Sequence, residues 1–155
     1  MLNPDFRDIL SAFIEKRVEF IVVGAYALAA QGLPRATGDI DLWVRASPEN
    51  SGRVWRALEQ FGAPLKGLDE GDFEKDDLIV QIGRAPRRID ILTSISGVGF
   101  DHAWGNRDIV EIEGLQIPVL SKEDLIRNKE AVGRPQDIAD LQRLDSLDDR
   151  TEKQD

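Results

Sequence analysis

The feature that most constrains the fold is a short, unbroken apolar run at Phe20–Val23, which ends at Gly24. An uninterrupted run of this length is typical of a strand that is covered on both faces, because a half-solvated strand alternates apolar and polar residues. The segments on either side have helical patterns. Asn3 as N-cap and Pro4 at the first helical position begin one helix, and the alanine-rich residues 25–31 favour a second, shorter one. We therefore expect strands and helices to be mixed in one domain.

The rest of the chain continues this mixture. Alternating patterns and short apolar runs predict further strands at residues 39–44, 78–82, 88–92, 109–112 and 115–119. Helical spacing and cap residues predict further helices at residues 48–61, 100–104, 122–131 and 137–147. In the last helix, Ile138, Leu141 and Leu144 are predicted to form one face. The fold class predicted is α/β (or α+β), with one mixed sheet flanked by helices in a single domain over residues 1–147, followed by an acidic, solvated tail over residues 148–155.

The composition narrows the classes of function. The chain has 155 residues and no cysteine, which excludes disulfides, thiolate metal sites and cysteine nucleophiles. No apolar run approaches the roughly 20 residues that a membrane helix needs, and the first residues lack a signal-peptide pattern. We therefore expect a cytoplasmic protein without a membrane segment. The formal net charge of −9 argues against a long nucleic-acid footprint, which needs many phosphate contacts, but leaves a small nucleotide open as a ligand.

Two carboxylates stand two positions apart in the predicted strand 39–44. Consecutive side chains of a strand point to opposite faces, so Asp39 and Asp41 share one face while Ile40 and Leu42 share the other. The two aspartate α-carbons should lie roughly 6–7 Å apart, from a rise of about 3.3 Å per residue. Carboxylates at this spacing can converge on one divalent cation or on a pair of ions. A solvated strand face is the alternative interpretation.

A second predicted strand supplies a third acid. Within residues 88–92, Asp90 lies between two isoleucines, so it shares a face with Arg88 while the isoleucines face the core. If this strand neighbours the first, at the usual spacing of about 4.8 Å, Asp90 joins Asp39 and Asp41. Three carboxylates without histidine or cysteine form a ligand set for Mg²⁺ or Mn²⁺ rather than for zinc.

The turn at Gly24 adds a feature that suits a phosphate. A strand ends there and a short helix follows, so backbone N–H groups are placed where a phosphate can bind. Beside three acids, this turn favours a metal site over a merely solvated strand face.

These motifs, in this order, resemble the DNA polymerase β-type nucleotidyltransferase superfamily. The resemblance rests on a glycine motif before a helix, an Asp-x-Asp strand and a later acid on its own strand, here Gly24-Ala25, Asp39-Ile40-Asp41 and Asp90. Residues 34–37, 120–129 and 134–141 are further similar to small bacterial nucleotidyltransferase-like proteins, some of which belong to toxin–antitoxin or phage-defence systems.

The resemblance implies a role for each motif residue. Asp39 and Asp41 would hold the metals that bridge the nucleotide phosphates, and Asp90 would bind the catalytic metal and help to deprotonate the attacking hydroxyl. Gly24 would let the backbone approach the triphosphate. Ala25 departs from the family pattern, which usually has serine or glycine there, so a serine hydroxyl is missing while the backbone N–H remains.

Further candidate ligands of a nucleotide are Arg35, Thr37, Arg88, Lys129 and Arg134. Basic groups neutralise the phosphate oxygens during phosphoryl transfer. Each candidate also has a structural alternative. The two basic residues near the C-terminus can instead tie the last two helices together through Asp137 or Asp140. Arg88 can instead be the charge partner of Asp90, and Thr37 can hydrogen-bond locally.

The resemblance implies a reaction that moves a nucleoside monophosphate from a triphosphate such as ATP to an acceptor hydroxyl, with release of pyrophosphate. The acceptor is a small molecule, a protein or a tRNA end. A second hypothesis keeps the fold without turnover, as an antitoxin-like or regulatory module that binds a protein partner. Phosphohydrolase chemistry at the same metals is a third hypothesis.

Overall fold

A computed structural model describes residues 2–35, 37–84 and 86–154, with side chains described as far as residue 147. The helices are α1 (Pro4–Glu15), α2 (Gly24–Ala30), α3 (Pro48–Phe61), α4 (Phe100–Asn106), α5 (Lys122–Val132) and α6 (Pro135–Gln154), with a 3₁₀ turn at Glu70–Glu74. The strands are β1 (Phe20–Val23), β2 (Ile40–Val44), β3 (Ile79–Arg84), β4 (Arg87–Leu92), β5 (Asp108–Ile112) and β6 (Leu115–Val119).

These strands form one mixed sheet in the order β3-β4-β2-β1-β6-β5. The outer hairpins β3–β4 and β5–β6 are antiparallel, as is the pair β1–β2. In contrast, β2 runs parallel to β4, and β1 runs parallel to β6. The predicted fold class, a mixed sheet with helices around it, is confirmed.

Helices cover both faces of the central strands. All four residues of β1 are buried. On one face, Phe13 of α1 packs edge-on against Phe20 of β1, with 5.3 Å between ring centroids, and Phe20 pairs with Val44. On the other face, Trp43 packs edge-on against Phe100 of α4 at 5.0 Å. The continuous apolar run therefore has the double coverage that its sequence predicts.

Local polar contacts set the bounds of the helices next to these strands. Asn3 accepts a hydrogen bond from the backbone N–H two residues on, at 2.7 Å, and so begins α1 before Pro4. Ser121 accepts from the N–H of Asp124 at 3.2 Å and begins α5 directly after β6. Both caps satisfy an N–H that lacks a partner within its helix.

The predicted inner face of the last helix is confirmed at Leu144 and wrong at Ile138. Ile138 is 50% exposed, whereas Asp137 and Asp140 are buried with Leu144. The reason is electrostatic, because the buried ammonium of Lys129 on α5 lies 3.0 Å from a carboxylate oxygen of each aspartate. A charged stripe, rather than an apolar one, joins α5 to α6.

The backbone of α6 continues to Gln154, past its predicted end at residue 147. The division at residue 147 stays a prediction, because the side chains of 148–154 and all of residue 155 lie outside the described residues. Among the helices described, none has both the length and the apolar character that crossing a bilayer requires.

We expect Asp137→Asn to lower the free energy of unfolding at pH 7 by about 2 kcal/mol, because it removes a buried partner of Lys129. The hydrogen bond from Arg134 holds the pKa of Asp137 well below its ordinary value of 3.8. The folded state therefore binds fewer protons than the unfolded state, and the stabilisation is present above pH 4 and lost as the pH falls. Urea unfolding measures both effects.

The matched control is Asp145→Asn, which removes the same charge from an exposed position of the same helix. An equal loss of stability in the two variants, or a loss that persists unchanged at low pH, would contradict the assignment.

Candidate active site

The register between β2 and β4 brings the predicted acids together. These parallel strands are direct neighbours, and Asp41 is paired with Asp90. Cross-strand partners share a face, so the two carboxylates lie side by side. Asp39 directly precedes β2, rather than beginning it as predicted. The condition on which Asp90 was expected to join the other acids, that the two acid-bearing strands are neighbours, is met.

Arg88 holds two of these three acids. Its guanidinium donates through Nε to one oxygen of Asp90 at 2.7 Å and through Nη2 to the other at 3.0 Å. The same Nη2 lies 3.4 Å from Asp39, whose other oxygen accepts the backbone N–H of Arg88 at 3.1 Å. Of the two interpretations given for Arg88, the structure shows the charge partner.

Asp41 is the acid with the least compensation. Burial raises its pKa to about 6, and the nearby charge of Asp90, a hydrogen bond with Asp90 and the charge of Asp39 act in the same direction. Arg88 opposes this rise but does not cancel it. The carboxylate of Asp41 is therefore destabilised in its ionised form and would gain from a further cation.

Two glycines near these acids allow a close approach that a side chain would block. Gly24 has φ of +71°, and a β-carbon there would lie 2.2 Å from an oxygen of Asp41. Gly38, just before Asp39, would place a β-carbon 1.3 Å from the carbonyl oxygen of Pro86. Sequence reasoning identified Gly24 but missed Gly38, whose signal was only its position next to the first acid.

Ala25 and Thr37 stand at the edges of this cluster. Ala25 is in the first turn of α2, directly after Gly24. The hydroxyl of Thr37 accepts the backbone N–H of Asp39 at 3.2 Å, which is the local role given as its alternative. This hydrogen bond fixes the backbone just before β2, where Asp39 lies.

The other predicted phosphate ligands lie in the ion-pair network of α5 and α6. Lys129 contacts Asp137 and Asp140, Arg134 donates to Asp137 at 2.7 Å, and Arg35 donates to Asp140. These contacts match the structural alternatives for Lys129 and Arg134. The assignment of all three basic residues to a triphosphate stays a prediction.

The donor chemistry of the acid cluster fits a hard divalent cation, because it offers three carboxylates and the register sets two of them side by side. Within the ranges that the structure describes, however, no group of three acidic or histidine side chains is arranged to hold a metal as it stands. Arg88 contacts oxygens of Asp39 and Asp90.

A cavity of about 360 Å³ is lined in part by residues that are close in sequence to the acid cluster. Its lining includes Tyr26, Gly38 and Arg87, which are close in sequence to Gly24, Asp39 and Arg88 respectively. Burial raises the pKa of Tyr26, while the charge of Arg87 acts against that rise. Sequence reasoning assigned no role to Tyr26 or Arg87. The cavity offers aromatic, hydroxyl and cationic groups to a ligand.

Comparison with known proteins places this geometry in context. The sequence pattern of a family described as a nucleotidyltransferase of unknown function (DUF6036) matches residues 6–149. The crystal structure of a candidate nucleotidyltransferase from Thermotoga maritima is similar in fold, with a TM-score of 0.57 and 19% identity over 99% of this chain and 96% of its own. Lincomycin-bound LnuA, a lincosamide antibiotic adenylyltransferase, gives a TM-score of 0.54 and 16% identity over 95% of this chain and 98% of its own.

We expect Gly24→Ala to lower the free energy of unfolding by about 2–4 kcal/mol, since it combines a left-handed backbone with a clash against Asp41. Gly62→Ala is the matched control, because Gly62 has φ of +86° and nothing within 4 Å of the added carbon. Its expected loss is about 1 kcal/mol, from backbone strain alone. Equal losses in urea unfolding would show that the contact with Asp41 is unimportant.

We expect Asp41→Asn to raise the free energy of unfolding at pH 8 by about 1–3 kcal/mol. The folded state raises the pKa of Asp41 from 3.8 to about 6, so the folded protein binds more protons than the unfolded one between these values. Stability is therefore lost as the pH rises through this window, and the amide removes that loss. Thermal unfolding from pH 4 to pH 8 measures the effect, and a gain that stays constant across this range would contradict it.

Proposed function

Because the chain belongs to this nucleotidyltransferase family, we propose that it is a metal-dependent enzyme that transfers a nucleoside monophosphate from a triphosphate to an acceptor hydroxyl. The hydroxyl oxygen forms a bond to the α-phosphorus, the bond to the leaving phosphate oxygen breaks, and pyrophosphate departs. The hydroxyl proton passes to a carboxylate of the site. No further reactant is needed for the atoms and charges to balance.

The observation that carries this proposal is the pairing of Asp41 with Asp90 beside Gly24. Burial raises the pKa of Asp41, and repulsion by the adjacent carboxylate of Asp90 raises it further. A fold keeps such an arrangement most readily where a cation ligand relieves it. Asp39, which Arg88 holds at the edge of the cluster, completes the ligand set that we propose.

The ligands of a divalent ion in this proposal are Asp39, Asp41 and Asp90, with Mg²⁺ or Mn²⁺ as the ion. When bound, such an ion neutralises phosphate oxygens and favours ionisation of a hydroxyl beside it. The residues of the chain would orient the reactants. Asp90 is the proposed acceptor of the hydroxyl proton, and Gly24, which leaves room for the carboxylate of Asp41, would let the backbone approach the phosphates.

For the substrate pair, we propose ATP and a small hydroxyl-bearing acceptor. The acidic chain, with its formal charge of −9, favours a neutral or cationic acceptor over a long nucleic acid. LnuA is named as an adenylyltransferase with an antibiotic bound, and its similar fold supports a small acceptor here. The cavity lined by Tyr26 and Arg87 supplies aromatic and cationic contacts for one of the two substrates.

The test is a transfer assay with purified protein, each of the four labelled nucleoside triphosphates, Mg²⁺ and pooled small-molecule acceptors. We expect labelled product and pyrophosphate with the wild type, and neither after chelation of the metal. Asp41→Asn and Asp90→Asn should each reduce the rate by at least about 100-fold, because the variants lose charge stabilisation at the transferred phosphate. Circular dichroism confirms that the variants are folded.

Asp145→Asn, which changes an exposed acid of α6, serves as the control and should keep the wild-type rate. Unchanged turnover in Asp41→Asn would rule out the proposed site. If calorimetry found no Mg²⁺-dependent binding of any triphosphate to the wild type, the enzyme proposal would fail, and a non-catalytic module would remain.

A further inference from the structure

Arg88 has a position that the transfer reaction alone does not explain. It lies two residues before Asp90 on β4, so both side chains share the face on which Asp41 lies. Its guanidinium makes a two-pronged ion pair with Asp90 and reaches Asp39. The guanidinium of Arg88 therefore contacts two of the carboxylates that the proposed function assigns to a metal.

The burial of the two partners shows what this contact does. The side chain of Asp90 is 11% exposed and that of Arg88 is 30% exposed. A buried carboxylate without a cation is costly, and a bidentate guanidinium is an effective internal partner. The more exposed Arg88 can turn toward solvent without disturbing the apolar core, whereas Asp90 cannot. Arg88 is the movable member of the pair.

We propose that Arg88 is an internal counter-ion that competes with a divalent cation for Asp39 and Asp90, and so makes the free protein a weak metal binder. This inference rests on the proposed function, because it takes the acid cluster to be the metal site. A metal that enters must displace the guanidinium, and the cost of breaking that ion pair is subtracted from the metal's binding free energy. Arg88 acts here as a positioning residue.

The competition has a consequence for the order of binding. A displaced guanidinium on the same face as the acids is suited to a polyphosphate, because its planar fork matches phosphate oxygens. A ligand that holds Arg88 away from the acids thereby strengthens metal binding. By linkage, the metal strengthens binding of that ligand by the same factor. The metal and the nucleotide therefore bind cooperatively, because each strengthens the binding of the other.

The experiment measures Mn²⁺ binding to the free protein by electron paramagnetic resonance, with no nucleotide present. We expect Arg88→Gln to bind Mn²⁺ about tenfold more tightly than the wild type at pH 8. Arg88→Lys keeps a positive charge near the acids but cannot make the two-pronged ion pair, so it should bind Mn²⁺ about threefold more tightly than the wild type. Arg84→Gln removes the same charge from an exposed position at the end of β3 and should change little.

The double variant Arg88→Gln/Asp41→Asn locates the gain, which should disappear if the ion binds at the acid cluster. Circular dichroism and thermal unfolding establish that each variant is folded, and the roughly threefold gain expected of Arg88→Lys tests the inference if the glutamine variant is not. Mn²⁺ binding by Arg88→Gln that is no tighter than that of the wild type would overturn the inference, as would a gain that survives removal of Asp41. The titration uses neither nucleotide nor turnover, so its failure is distinct from failure of the transfer assay.

Discussion

The candidate site depends on the register between two parallel strands. Asp41 lies beside Asp90 because β2 and β4 pair at that position, and a slip of one residue would turn one strand's acid to the apolar face. The register is fixed on the opposite face, where Ile40, Leu42 and Ile91 are buried. The apolar core therefore supplies the free energy that holds two mutually repelling carboxylates together. Placing the two carboxylates side by side costs electrostatic free energy, and the packing of the sheet offsets that cost.

Two of the charged clusters among the described residues contrast a structural network with the candidate site. In the network of α5 and α6, each buried aspartate has two basic partners, with Lys129 shared between them. The pKa of Asp137 and of Asp140 is lowered as a result. In the acid cluster, one guanidinium contacts Asp39 and Asp90, while the pKa of Asp41 is raised by burial and by the charges of the other two acids. The same residue types thus stabilise the fold in one place and leave a charge deficit in the other.

Much of the sheet was predictable because its signals are local. The unbroken run of β1 and the alternation along β2 and β4 follow from residue periods, and these also put Asp41 and Asp90 on the correct face. The pairing of β2 with β4 was a conditional expectation, since the sequence does not say which strands are neighbours. The residue periods predicted the strand face on which each acid lies, whereas only the tertiary fold shows that the two strands are neighbours.

The features that the sequence did not predict depend on contacts between distant segments. The buried stripe of α6 is charged because Lys129 faces it from α5, and a hydrophobic pattern cannot reveal such a partner. The need for Gly38 arises from the chain at Pro86, which is 48 residues away. Arg88 was assigned either to a phosphate or to Asp90, and only the side-chain geometry shows which contact it makes without a ligand.

Ala25 departs from the family pattern at the second position of the glycine motif, whereas Gly24 at the first position matches it. A side chain at Gly24 would overlap Asp41, so the first position of the motif is fixed by the acid cluster itself. The residue before α2 is Val23, whose side chain carries no hydrogen-bonding atom, so the first N–H groups of that helix gain no cap from it. In the proposed site, alanine in place of the family's serine would offer one hydrogen-bond donor fewer to a phosphate, while the backbone N–H groups and the three carboxylates are kept.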